Sequence, residues 1–339
     1  MKNVFLVWTK NQARVESLLE DLSINLGDFK VIYRDNSTNS MFKKLLNYIK
    51  FFILDFIVLL KNKPNFVIVQ TPPSFILIAP VIYKVFYRKV KVISDTHNAM
   101  TRSPWKDRFG TSFLFNRVDL ICVHNDVVYE SVKDEIPFKK SNISILEDKT
   151  IDYEPTIETY STTNKQAEKE INVFFPASFN EDEPIKEILD CAVHNQDINF
   201  TLTGNAVKLE KKFGIAPSDL PENLKITGWL TNEEYNRKLM DCDVLLGLTV
   251  FDDIQMSVSN EGLGAEKVMV LSDKKALRNI YMSGAIYTEN SASEIAQSIR
   301  EAHRKRDVLK KEIKNTKKSK ESRYKGQLEV FKTKVNMKG

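Results

Sequence analysis

Short apolar runs of strand length alternate along the chain with longer segments whose apolar residues recur every three or four positions. Asn3–Trp8 reads as a strand, and Gln12–Leu22, with Ala13, Leu18, Leu19 and Leu22 at helical spacing, as the helix after it. Lys30–Tyr33 predicts a second strand, Phe42–Leu60 a long helix, Phe66–Gln70 a buried strand and Phe75–Phe86 a helix following Pro72-Pro73. Val90–Ser94 and Leu120–His124 continue as strands. Between Glu147 and Glu170 the periodicity gives way to a stretch rich in Asp, Glu, Thr, Ser and Lys. The alternation then restarts with strand Asn172–Pro176, helix Ile185–Cys191 and strands Phe200–Thr203 and Leu224–Ile226. Helix Asn232–Met240, strand Val244–Leu248, helix Ser259–Lys267, strand Val268–Ser272 and helix Ser293–Lys305 complete it.

Strands joined by helical segments imply parallel pairing with crossover helices. The expected fold class is therefore α/β, with two Rossmann-like doubly wound domains facing a cleft. The expected bounds are 1–150 for an N-terminal Rossmann-like domain, 151–170 for a linker and 171–305 for a C-terminal domain. Residues 306–339 are expected to form a basic helix or tail that could cross back to the N-terminal domain. A length of 339 residues suits two domains, and 42% hydrophobic with 28% charged residues excludes wholesale disorder and a polytopic membrane protein.

Cys122, Cys191 and Cys242 are far apart in apolar stretches, the pattern of buried thiols in a reducing compartment. The apolar start Val4–Trp8 is shorter than the run of about 7–15 that a secretion signal needs, so a cytoplasmic location is expected. Leu45–Leu60 is broken by Asn47, Lys50 and Asp55, whereas a spanning helix needs about 20 apolar residues. The lysines and aromatics of Met41–Lys63 would equally suit a helix lying on an anionic membrane at the inner face. The alternative is that Leu45, Ile49, Phe52, Phe56 and Leu59 pack on a sheet. Of the formal net charge of +5, residues 301–339 carry +9 and the rest −4. No aromatic stacking platform accompanies that basic tail, so no nucleic-acid partner is expected.

In doubly wound sheets ligands bind beyond the carboxyl ends of the strands, where helix N-termini offer free N–H groups. Asp95 and His97 follow the strand Lys91-Val92-Ile93 and could act as bases toward an attacking hydroxyl, or serve only as a cap and a loop hydrogen-bonder. Ser178 and nearby amides, before the helix at Ile185, could cradle a phosphate, with Glu181–Glu183 capping that helix and facing solvent. Gly204 and Gly228 each end a strand, where glycine permits close approach of backbone to ligand, or simply a turn. The densest group is Thr249–Asp273, where a polar loop containing Gln255 leads to Ser257, Ser259 and Asn260, with Glu261 in the first helical turn. A carboxylate there could accept both hydroxyls of a ribose while hydroxyls and amides hold a diphosphate. Helix capping is the structural alternative.

The order of pieces DTHN, VHN, LED, PASFNEDEP, LTGN, ITGWL, EEY, LLGLT and SNEGLGAEKVMVLSDKKALRNIY resembles a GT-B glycosyltransferase of family four over about residues 3–303. The resemblance implies transfer of a sugar from a nucleotide-sugar donor to a glycan or lipid-linked acceptor in polysaccharide or glycoconjugate synthesis. It implies no cofactor and no bound metal, the nucleotide-sugar being a co-substrate. Glu261 matches the second glutamate of the family's pair, Gly228-Trp229-Leu230 the loop around the nucleobase, and Ser178 the loop approaching the donor. Asp95 and His97 match the strand end facing sugar and acceptor. The position of the first glutamate holds Ile254, and the usual glycine-rich loop is Trp8-Thr9-Lys10-Asn11-Gln12, with Arg14 as the nearby charge. A non-catalytic GT-B subunit and a nucleotide-sugar epimerase are the alternative readings.

Overall fold

The computed structural model describes residues 2–10, 12–38, 40–135, 137–138, 142–153 and 170–336. The chain divides into two compact units, Met1–Lys149 with Arg323–Gly339, and Thr150–Ser322. All but residues 151–153 and 170 of the expected linker lie outside the described residues.

The first unit alternates β1 (Asn3–Val7), α1 (Ala13–Leu26), β2 (Phe29–Tyr33), α2 (Met41–Asn62), β3 (Phe66–Thr71), α3 (Ile78–Phe86) and β4 (Lys91–Thr96). It continues with α4 (Thr111–Phe115), β5 (Leu120–Val123), α5 (Asp126–Val132) and β6 (Ile143–Ile145). The sheet order is β2-β1-β3-β4-β5-β6, with every pair parallel. Side chains alternate across a strand, so Val4 and Leu6 enter one core with Val67, Val69 and Leu59, while Phe5 and Val7 enter another with Leu18, Leu22 and Ile68. Both faces are covered, and the strands accordingly read as unbroken apolar runs.

The second unit runs β7 (Ile171–Phe175), α6 (Ile185–His194), β8 (Ile198–Leu202), α7 (Ala206–Phe213), β9 (Leu224–Ile226) and α8 (Asn232–Asp241). It continues with β10 (Val244–Gly247), α9 (Ser257–Gly264), β11 (Met269–Ser272), α10 (Lys275–Tyr281), β12 (Ala285–Thr288) and α11 (Ala292–Arg304). Its parallel order, β12-β11-β10-β7-β8-β9, is the dinucleotide-binding order with its switch point between β7 and β10. Loops 176–184 and 248–256 leave the sheet on either side of that point, and the Val250 N–H donates to the Asp182 carbonyl at 2.8 Å.

The last helix, α12 (Arg306–Asn336), is continuous. Leu309 and Ile313 are buried in the second unit, and Tyr324, Leu328, Phe331 and Val335 in the first. The lysine-rich stretch is not uniformly exposed, contrary to its composition. Lys320 is buried, and Lys317 pairs with Asp152 at 2.7 Å and donates to the Gly264 carbonyl.

Two boundaries move site residues. Strand β4 extends to Thr96, so Asp95 lies within the strand rather than after it. Helix α9 starts at Ser257, so Glu261 belongs to its second turn, not its first. That helix lies close to β10 and β11 because Gly262 faces Leu245 and Met269 with no side chain of its own. At Gly264 a Cβ would fall on the Ile151 carbonyl oxygen. Gly264→Ala is expected to cost about 1–3 kcal/mol despite alanine's better helix propensity. A melting curve should show the drop, about 2–10 °C for a unit of this size.

Candidate functional site

At the carboxyl edge of the first sheet, polar side chains form a buried network. The Arg14 guanidinium, near the start of α1, donates to Asp95 through Nε at 3.1 Å and one terminal nitrogen at 3.0 Å. That second nitrogen also donates to the Leu146 carbonyl, and the other reaches Asp148 at 2.5 Å. Gln70 Nε2 adds a long bond to Asp95, and His124 Nε2 stands 3.4 Å from the same carboxylate. Asp95 is 1% exposed. Burial raises its affinity for a proton, but Arg14, followed by the histidines, outweighs burial and holds the carboxyl well below the usual range. Such a carboxylate is a poor proton acceptor.

His97 is different. It caps a short turn, Asn98–Thr101, is partly exposed, and its Nε2 is buried without a hydrogen-bond partner. Its ring meets His124 edge-on, with centroids 4.6 Å apart. Burial, then the neighbouring His124, lowers its pKa from 6.5 to about 4, so it is neutral near pH 7. A neutral imidazole can accept a proton. Sequence reading missed His124, whose VHN motif lies 27 residues from His97 and meets it only because β4 and β5 pair. Arg14 was expected to be a free charge in the loop region and is instead spent on Asp95 and Asp148.

Asp95, His97 and His124 could surround a cation, their ligand atoms lying within 4.8 Å of one another. Arg14 opposes this, because a dication would share Asp95 with a guanidinium 3.0 Å away. The LED motif is an anchoring point: besides the Leu146 and Asp148 contacts with Arg14, Glu147 accepts from Arg323 and Gln327 of α12.

In the second unit, loop 176–184 departs from expectation. Glu183 does not face solvent. Its carboxylate turns back and accepts the Ser178 N–H at 3.0 Å and the Asn180 N–H at 3.3 Å, occupying the amides that could have cradled a phosphate. Burial raises the Glu183 pKa despite these bonds. Lys208 of α7 donates to the Ser178 carbonyl and to Asn180 Oδ1, placing a cation beside this loop. Thirty positions separate Lys208 from Ser178, so no local motif reveals it.

Gly204 and Gly228 pair in an antiparallel bridge. The close approach that Gly204 permits is to the protein itself, since a Cβ would strike Phe179 and the Ala177 carbonyl. Trp229 next to the bridge is 69% exposed, and Leu230 packs against the same buried cluster as Tyr235 and Met256.

Glu261 is partly buried, and its carboxylate accepts a short hydrogen bond from Tyr235 Oη of α8. Burial raises its pKa. Tyr235, in the EEY segment, thus fixes Glu261, a role the sequence alone does not disclose. The α9 N-terminus carries no side-chain cap, and its first N–H groups have no partner within the helix. Ser257 there is exposed, whereas Gln255, Ser259 and Asn260 are buried. Loop 248–256 is fixed from behind. Ser272 Oγ accepts the Thr249 N–H at 2.8 Å and donates to Asn290, which donates to the Thr249 carbonyl.

No protein-family model and no curated protein matches the chain in sequence. Solved structures do match in fold. HepE from Anabaena, in complex with UDP and glucose, superposes with a TM-score of 0.70 at 12% identity, covering 99% of this chain and 100% of that one. A glycosyltransferase from Rickettsia africae gives 0.68 at 12% identity, with 99% and 98% covered. Sucrose-phosphate synthase from Thermosynechococcus elongatus gives 0.75 at 10% identity, with 98% and 97% covered. Two six-stranded parallel sheets in these strand orders, matched end to end, give this chain the GT-B glycosyltransferase fold.

Proposed function

We propose that the protein transfers a sugar from a nucleotide-sugar, of the kind bound in the UDP-glucose complex of the Anabaena protein, to a glycan or lipid-linked acceptor. One observation carries this reading. An uncapped helix N-terminus stands at the switch point of the second sheet, and a carboxylate held by a tyrosine lies one turn further along the same helix. In this reading the α9 amides and Ser257 meet the diphosphate and Glu261 accepts the ribose hydroxyls. Trp229 and Leu230 flank the base, while Ser178, Gly204 and Gly228 shape the surrounding loops. Ser259, Asn260 and Gln255 support them from within. His97 accepts the proton of the acceptor hydroxyl, and Asp95 holds Arg14 and His124 in place behind it. The leaving diphosphate is met by helix amides and Lys208, without a metal.

A second reading, a non-catalytic GT-B subunit that acts as binding partner of another transferase, draws on Glu183. Its carboxylate already sits on loop amides where a phosphate would otherwise bind.

A thermal-shift series with UDP, GDP, ADP and CMP tests donor binding. One nucleotide at a hundredfold excess over its Kd should stabilise the protein by about 2.7 kcal/mol. Glu261→Ala should weaken that binding about 10–100-fold, the range for a hydrogen bond to a charged group. No shift with any nucleotide defeats the transfer reading and favours the second. Stabilisation by a nucleoside diphosphate, lost in Glu261→Ala, disfavours the second.

A further inference from the structure

Helix α2 has two apolar faces and only one is covered. Phe51, Asp55 and Leu59 point into the first unit, where Asp55 accepts from Trp8 Nε1 at 2.8 Å and Arg34 Nε at 2.5 Å. Phe52 and Phe56 pack against the same core. On the other side Phe42, Leu46, Ile49, Ile53, Ile57 and Leu60 follow at spacings of three and four, which places them on one stripe within about 80° of arc. All six are exposed, as are Met41 and Leu45. The stripe runs the length of a 22-residue helix, about 33 Å. The end of α3 extends this surface. It lies beside the last third of α2 through Phe56 and Tyr83, and it exposes Val85 and Phe86.

The exposed charges of α2 have one sign. The helix carries Lys43, Lys44, Lys50 and Lys61 against a single acid, the buried Asp55. At 100° per residue, Lys43, Lys50 and Lys61 fall on one flank of the apolar stripe, 20–40° beyond its edge on the order of a single side-chain width. No helix of the described residues is long and apolar enough to cross a membrane. An apolar stripe flanked by lysines is instead the pattern of a helix lying in the plane of an anionic surface. A second copy of the chain fits less well, because two such faces brought together would oppose lysine with lysine.

We propose that the exposed face of α2, continued by the end of α3, docks the first unit on an anionic lipid bilayer, with the six apolar side chains entering the headgroup boundary and Lys43, Lys50 and Lys61 meeting lipid phosphates. This stands independently of the sugar-transfer reading, since it uses none of the residues assigned to donor or acceptor.

Flotation of the full chain tests it, using vesicles of phosphatidylcholine alone or with about one-third phosphatidylglycerol. The protein should float with the anionic vesicles at low salt, stay at the bottom with neutral ones, and be released by high salt. Neutralising three lysines in K43Q/K50Q/K61Q should lower partitioning about 100-fold, from roughly fivefold per lysine. I49N/I53N, at exposed positions that leave the core intact, should abolish binding with no change in melting temperature. V207N/K225Q, on the exposed surface of the second unit, should leave flotation unchanged. Wild type that stays at the bottom with anionic vesicles overturns the proposal, as does flotation unaffected by either α2 variant. Sedimentation velocity showing self-association that I49N/I53N removes, without vesicle binding, assigns the face to a second copy instead.

Discussion

His97→Ala is expected to lower kcat for sugar transfer by about 10²–10⁴-fold, the range for loss of a positioned general base. Stabilisation by the nucleotide should be unchanged, because His97 belongs to the first unit and the residues proposed to hold the donor to the second. The pH dependence separates this role from a structural one. Burial and His124 bring the His97 pKa down from 6.5 to about 4, so the neutral, proton-accepting form dominates well into the acid range. The acidic limb of kcat/KM should therefore fall near pH 4 instead of near 6.5. Folding stability changes with the opposite emphasis: the unfolded chain takes up the proton near 6.5 and the folded one only near 4. Stability should decline from pH 6.5 toward 4 while activity per folded molecule persists. An acidic limb at 6.5, or a His97→Ala enzyme as fast as wild type, would sink the assignment. Asp95→Asn serves as the contrast. It leaves Arg14 without its buried counter-charge and should act through stability first.

The alternation of strands and helices was legible because a sheet covered on both faces demands apolar strands, and Phe5, Ile68 and Phe174 fulfil that demand without reference to distant residues. The inward face of α2 was not legible. Leu45 and Ile49 share helical spacing with Phe52, Phe56 and Leu59, yet they are exposed while a charged residue, Asp55, is buried. A helix that is apolar nearly all round does not announce its buried face, and here Trp8 and Arg34 decide it by bonding Asp55. Short elements such as α7, α10 and β12 escaped for lack of enough turns or residues to show a period. In the candidate site, Glu261 could be found from its motif, but Tyr235, His124 and Lys208 reach their partners across strand and helix pairings that no local pattern encodes. Glu183 was misplaced for a related reason: an acid before a helix ordinarily faces solvent, and only the curl of loop 176–184 turns it onto the amides of Ser178 and Asn180.

Arg14→Met should destabilise the first unit by about 3–5 kcal/mol, the cost of leaving a buried charge without its partner. For a domain of this size that is a fall of roughly 6–20 °C in Tm. Methionine keeps much of the arginine's apolar stem, so the loss reports the missing guanidinium rather than a void. Two carboxylates and the Leu146 carbonyl lose a donor together, and Asp95 has least recourse to water. The direction of the pH effect is diagnostic. In the wild type Asp95 titrates below its ordinary value of 3.8, so it contributes stability above that pH and loses it as pH falls. Burial raises the Asp95 pKa and Arg14 is the largest influence lowering it, so removing Arg14 is expected to move that pKa up. Relative to wild type, the variant then loses stability as pH rises from about 4 toward 7, the reverse of the wild-type slope for this group. Arg14→Met/Asp95→Asn should regain part of the loss, because removing both charges leaves none buried alone, and the double-mutant cycle gives their coupling. Chemical denaturation of the four proteins at pH 5 and pH 7 measures all of this. Additive losses, or a variant whose stability relative to wild type does not fall between those two pH values, would show that Arg14 and Asp95 do not depend on each other.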